Sequence, residues 1–209
     1  MTGIFELLGG DTLQQIVNGA SQKTGISSQQ ASSVIETAVP LLLGAFQNSG
    51  KEADTNGLLS ALQSEKHDGS LINNLGSIFE RKNDEITKDG AGILGHLLGD
   101  KQAMFTDAIS SKTGVSSANV SQILQTLAPV LMSFLGKKVS DSNISSSNGL
   151  NDLLSGFLGG NNNVGNLLTS FLDANKDGNV MDDLAGMLGG KSANKGGLGD
   201  LLGGILGGK

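Results

Sequence analysis

No cysteine occurs anywhere in the 209 residues, and neither does tryptophan or tyrosine. Without Cys there is no disulfide, no thiolate nucleophile and no cysteine–zinc site. Aromatic residues make up 3% of the chain, all of them Phe, so the core must be built from Leu, Ile, Val, Ala and Met, which suits close helix packing. Basic charge is also short, with 14 Lys and Arg against 20 Asp and Glu for a net charge of −6. That balance speaks against a general nucleic-acid binder, which normally carries a basic face. The longest apolar run, Ala38 to Leu43, falls far short of the ~20 residues that span a bilayer, so no transmembrane segment is expected. Met1-Thr2-Gly3-Ile4-Phe5-Glu6 has neither a basic n-region nor a long apolar stretch. No signal peptide is read there, and a cytoplasmic protein is expected. No segment alternates with a period of two, as a half-buried strand would.

What is present is glycine, at 32 residues, roughly twice ordinary usage. The glycines recur beside Leu pairs, as in Leu7-Leu8-Gly9-Gly10, Leu97-Leu98-Gly99 and Leu201-Leu202-Gly203-Gly204, a pattern of short helices ended by Gly. The chain also repeats itself. Lys23-Thr24-Gly25-Ile26-Ser27-Ser28 returns 89 positions later as Lys112-Thr113-Gly114-Val115-Ser116-Ser117. Downstream, Val34-Ile35 answers to Ile123-Leu124, Thr37 to Thr126 and Leu42 to Leu131. The two prolines, Pro40 and Pro129, occupy the same place in the two copies.

Leu13, Ile16, Val17 and Ala20 fall at i, i+3, i+4 and i+7, the stripe of an amphipathic helix, and Gly25 follows as its C′ residue. Ser27 and Gln30 have the spacing of a capping box. From Ala31 through Phe46, and again from Val120 through Leu135, apolar residues keep helical spacing for about five turns. Pro40 and Pro129 sit inside these stretches, where each removes a backbone donor and crowds the carbonyl four residues back, Glu36 or Gln125. A kink, or two abutting helices, is expected at each.

Polar stretches follow, Gln47 to Asn56 and Lys137 to Asn148, and then shorter apolar segments at 57–62 with 71–79 and at 149–158 with 164–172. Lys88-Asp89-Gly90 before Ile93-Leu94-Gly95-His96 parallels Lys176-Asp177-Gly178 before Leu184-Ala185-Gly186-Met187. The expected fold is therefore all-α, an internally duplicated multihelical unit with a proline-kinked long helix in each copy. The first repeat is placed at 1–96, the second at 97–190, and a Gly-rich tail at 191–209.

Gly25-Ile26-Ser27 leading to Val39-Pro40-Leu41-Leu42-Leu43-Gly44, and Gly92-Ile93-Leu94-Gly95-His96-Leu97-Leu98-Gly99 leading to Leu127-Ala128-Pro129-Val130-Leu131, resemble the DUF937 family of bacterial proteins, relatives of the YidB-like helical proteins. The likeness covers most of residues 4 to 190. Its motifs are helix-packing patterns and not catalytic signatures, so the resemblance implies an all-helical fold and no activity.

The best chemical candidate is Asp173-Ala174-Asn175-Lys176-Asp177-Gly178-Asn179-Val180. Oxygen ligands at positions 1, 3 and 5, Gly at 6 and an aliphatic residue at 8 describe a calcium loop of the EF-hand type. Asp173, Asn175 and Asp177 would bind through side chains and Asn179 through its carbonyl, with Asp183 near the closing position. That position itself is Leu184, where such loops carry a bidentate Glu. The alternative is an Asx-rich turn ahead of a helix whose first turn favours acids.

The helix–Gly-Ile-Ser–helix element resembles the start of a helix-turn-helix unit. Ser27, Ser28, Gln29 and Gln30 are nevertheless uncharged, and a structural turn with no nucleic-acid partner is the expectation. His67, in Glu65-Lys66-His67-Asp68, reads as a solvated loop residue, and His96 as packed or surface. With no Cys nucleophile and no Ser–His–acid pattern, an enzyme is not expected, and no cofactor is read beyond calcium. The tail from Gly196 to Lys209 pairs Leu and Ile with Gly and reads either as mobile or as a docking segment. The function expected is a non-catalytic protein-interaction or scaffold module that partners with itself or another protein.

Overall fold

The left-handed Gly25, at φ +71°, ends one helix and lets the next begin three residues later, and Gly114 does the same at φ +71°. These two turns organise the computed structural model, which describes residues 10–49, 55–73, 75 and 84–158. Every regular element among them is helical: α1 (Gly10–Thr24), α2 (Ser28–Ser49), α3 (Thr55–Leu62), a 3-10 turn (Glu65–His67), α4 (Ser70–Asn73), α5 (Asp84–Leu98), a second 3-10 turn (Gly99–Lys101), α6 (Gln102–Thr113), α7 (Ser117–Asp141) and α8 (Ser147–Phe157). The chain divides into two compact units, Met1–Leu168 and Thr169–Lys209, and the second lies wholly outside the described residues. The tail at 191–209 and the expected ligands Asp173, Asn175, Asp177, Asn179 and Asp183 therefore also lie outside them.

Among the described residues the expected helices form, with adjustments; the expected segment 164–172 and most of 71–79 lie outside them. Pro40 and Pro129 lie inside α2 and α7, each a single continuous helix, so neither proline splits its helix in two. α7 also runs through Lys137 and Lys138 to Asp141, into the polar stretch expected to follow it, because Val139 is buried and holds that turn to the core. The junction expected at 96/97 falls within α5, which is continuous across it.

α7 is the axis of the described unit. From Thr126 to Gly136 every residue is buried, the mark of a helix enclosed on all sides. By length and composition it is apolar enough to cross a membrane, but 72% of that apolar window is buried inside the protein. Around it pack α1, α2, α3, α4, α5 and α6. The arrangement is reciprocal. α3, which follows α2, packs on α7, whereas α8, which follows α7, packs on α2. Likewise α1 reaches across to α7 and α6 across to α2. Ala31, Val34, Ile35, Leu42, Phe46, Val120, Leu124, Val130 and Leu131 form the shared core at the limit of burial.

Candidate functional site

The two turns that join α1 to α2 and α6 to α7 share most of their hydrogen bonds. In the first, the Ser21 hydroxyl donates to the Ile26 carbonyl at 2.6 Å and the Thr24 hydroxyl to Ala20 at 2.6 Å. In the second, Ser110 donates to Val115 at 2.6 Å and Thr113 to Ile109 at 2.7 Å. Gly25 N–H donates to Ser21 O and Gly114 N–H to Ser110 O, which satisfies carbonyls that the helix ends leave open. The capping box expected at Ser27 is present, with Gln30 N–H donating to Ser27 Oγ at 3.2 Å and Ser27 N–H donating to Gln30 Oε1 at 3.1 Å. At the second turn Asn119 N–H donates to Ser116 Oγ at 3.3 Å.

Polar side chains then stitch the two halves together. The Lys23 ammonium donates to Thr87 Oγ1 of α5 at 2.9 Å and to Thr126 Oγ1 of α7 at 3.1 Å, which ties α1 to two other helices. Gln47 Nε2 of α2 donates to Ser155 Oγ of α8 at 2.6 Å. Gln63 Nε2, just past α3, donates to the Ile144 carbonyl before α8 at 3.1 Å.

Two glycines mark the closest backbone approaches. A Cβ on Gly90 of α5 would run into the Gln125 carbonyl of α7. A Cβ on Gly136 of α7 would run into the carbonyls of His67 and Leu62. His67 is therefore not the solvated loop residue that its charged neighbours suggest. It is 7% exposed, because the 3-10 turn that carries it lies on Gly136. Its Nδ1 is 2.8 Å from the Ala61 carbonyl and 3.1 Å from Ser64 Oγ. Nε2 is buried with no hydrogen-bond partner among the described residues. His96 is exposed on α5.

Asp68, just before α4, accepts from Ser70 N–H at 2.8 Å. The Ser70 hydroxyl first, and the Ser70 backbone N–H second, hold its carboxyl below the usual value of 3.8. Beside the start of α7 lies an open cleft of about 580 Å³ whose lining includes Asp100, Gln102, Thr106, Asp107, Ser117 and Ser121. There the Ser117 hydroxyl donates to Asp107 Oδ1 at 2.7 Å. Among the described residues no three His, Asp or Glu side chains gather as a metal site. Lys88-Asp89-Gly90, which parallels the central residues of the expected calcium loop, stands in mid-α5. The hydrogen bonds and close approaches assembled here join one helix to another.

Residues 6–138 match the model of a family described as bacterial protein of unknown function, DUF937. No curated protein and no solved structure matches the chain.

Proposed function

Because the chain belongs to the DUF937 family of bacterial proteins of unknown function, we propose from its own residues that it is a non-catalytic, self-associating scaffold module. On this reading it consists of two divergent copies of one helical unit, each about 90 residues long. The observation that carries it is the reciprocal packing, in which α3 of the first half covers α7 and α8 of the second half covers α2. A surface that recognises its own repeat in this way is self-complementary. The matched turns at Gly25 and Gly114, each with the same two side-chain hydrogen bonds, support common descent of the two halves.

Two features point to protein as the partner. The net charge of −6 disfavours nucleic acid, and the tail repeats Leu-Leu-Gly-Gly and Ile-Leu-Gly-Gly, apolar residues that gain from contact with another apolar surface. Multi-angle light scattering of the full chain, and of a chain ending at Gly190, tests the reading. The full chain is expected to form a dimer or larger species at tens of micromolar. A strict monomer at every concentration, with no partner captured by cross-linking in cells, sinks it.

A further inference from the structure

The halves 10–98 and 102–158 hold each other through helix faces, yet along the described chain they join through one exposed three-residue turn, Gly99–Lys101. Gly99 sits there at φ +50° with open space where a Cβ would be. We propose that a second copy of this chain can supply either half, so that self-association proceeds by exchange of halves about the Gly99 turn. The inference rests on the self-association reading and names its surface and its mechanism.

Three observations carry it. First, the contacts that seat one half on the other are mostly non-local, α1, α3 and α5 on α7, α6 and α8 on α2, while α5 also touches α6 beside the turn. Lys23–Thr126, Gln47–Ser155 and Gln63–Ile144 all cross the same divide. None of them requires that the two halves belong to one chain, so all are preserved on exchange. Second, what exchange alters is the turn. α5 ends at Leu98 and α6 begins at Gln102, so opening the turn lets the two run on as one rod. Third, the turn needs a left-handed residue at 99, a conformation that L side chains disfavour and glycine does not. A short turn between two well-packed helical halves is the element whose closure sets the balance between monomer and exchanged dimer.

The test uses the full chain. The protein has no cysteine, so Gln63→Cys with Ile144→Cys introduces the only two thiols, at neighbouring positions on opposite halves. A short bis-maleimide joins them. In a monomer, or in a dimer formed through any other surface, the link stays within one chain and the denaturing gel shows monomer. In an exchanged dimer the link joins two chains. Deletion of Gly99–Lys101 is expected to give a helical dimer with interchain links, and insertion of Gly-Ser-Gly-Ser after Asp100 a helical monomer.

If the deletion fails to fold, Gly99→Val decides in its place: refolded at high concentration, it is expected to raise the interchain-linked fraction several-fold over the unaltered turn. A folded monomeric deletion variant, or no rise with Gly99→Val, overturns the proposal. A native dimer whose links all remain within one chain also overturns exchange while leaving self-association standing. A native monomer whose deletion variant exchanges supports exchange and removes the scaffold reading.

Discussion

Gly90 of α5 rests on the carbonyl of Gln125, the acceptor in α7 that Pro129 leaves without its i+4 donor. The relationship explains both residues. Proline at 129 has no N–H to offer the carbonyl four residues back, and a buried acceptor without a partner is costly. Gly90 brings its Cα hydrogens against that oxygen, a weak but recurrent contact between closely packed backbones. Any larger residue at 90 would push the helices apart.

Gly90→Ala is therefore expected to destabilise the protein by about 1–3 kcal/mol, the cost of overpacking a tight contact. Gly92→Ala, two residues along the same helix, meets nothing within 4 Å. It is expected to stabilise by up to about 1 kcal/mol, because alanine loses less backbone entropy on folding. Urea unfolding followed by circular dichroism measures both. Equal effects at the two positions would remove the close-approach account.

The sequence carries much of this. Ser27 with Gln30, and the Gly25 and Gly114 ends, follow from local backbone chemistry, and local chemistry is readable residue by residue. The periodic stripes of α2 and α7 were legible for the same reason. What was not legible depends on partners distant in the chain. Glu65-Lys66-His67-Asp68 looks like a polar loop, and only the missing side chain at Gly136, some 70 residues on, makes room to bury His67. Lys88-Asp89-Gly90 shows the same difficulty. Its match to Lys176-Asp177-Gly178 does not reveal that in α5 Gly90 is the small residue at a helix crossing.

The two turns at Gly25 and Gly114 make a matched pair for mutation. Ser27→Ala removes the cap acceptor for Gln30 N–H, and Ser116→Ala the acceptor for Asn119 N–H. Each is expected to cost about 1 kcal/mol, and the two should add, since the turns share no hydrogen-bond partner. Thermal melts of the two single variants and the double variant test this. A cost at one turn and none at the other would mean that the two caps are not equivalent.

Gly136→Ala is expected to be worse than Gly90→Ala, because a Cβ there runs into two carbonyls, those of His67 and Leu62, both backbone. Backbone cannot rotate aside as a flexible side chain does. The 3-10 turn must lift from α7, exposing His67, and hydrogen exchange at His67 and at Ile72 N–H, which donates to the Gly69 carbonyl at 3.1 Å, is expected to speed up before global unfolding. Protection unchanged at both amides would show that the turn does not depend on its seat at Gly136.

Asp68 gives the acid limb of the stability curve a specific contributor. Its carboxylate is favoured in the folded protein by the Ser70 hydroxyl and the Ser70 N–H, so its folded pKa lies below the ordinary 3.8. A depressed folded pKa means that the unfolded chain binds the proton more readily, so stability falls as pH falls. The contribution is complete above 3.8 and is lost as pH drops through the lower folded value. Asp68→Asn cannot titrate. The stability difference between the native chain and this variant is therefore expected to be constant from pH 7 to about pH 5 and to shrink steadily below pH 4. Urea titrations across that range measure it, and a difference that holds constant down to pH 2.5 would show that Ser70 does not select the ionised form.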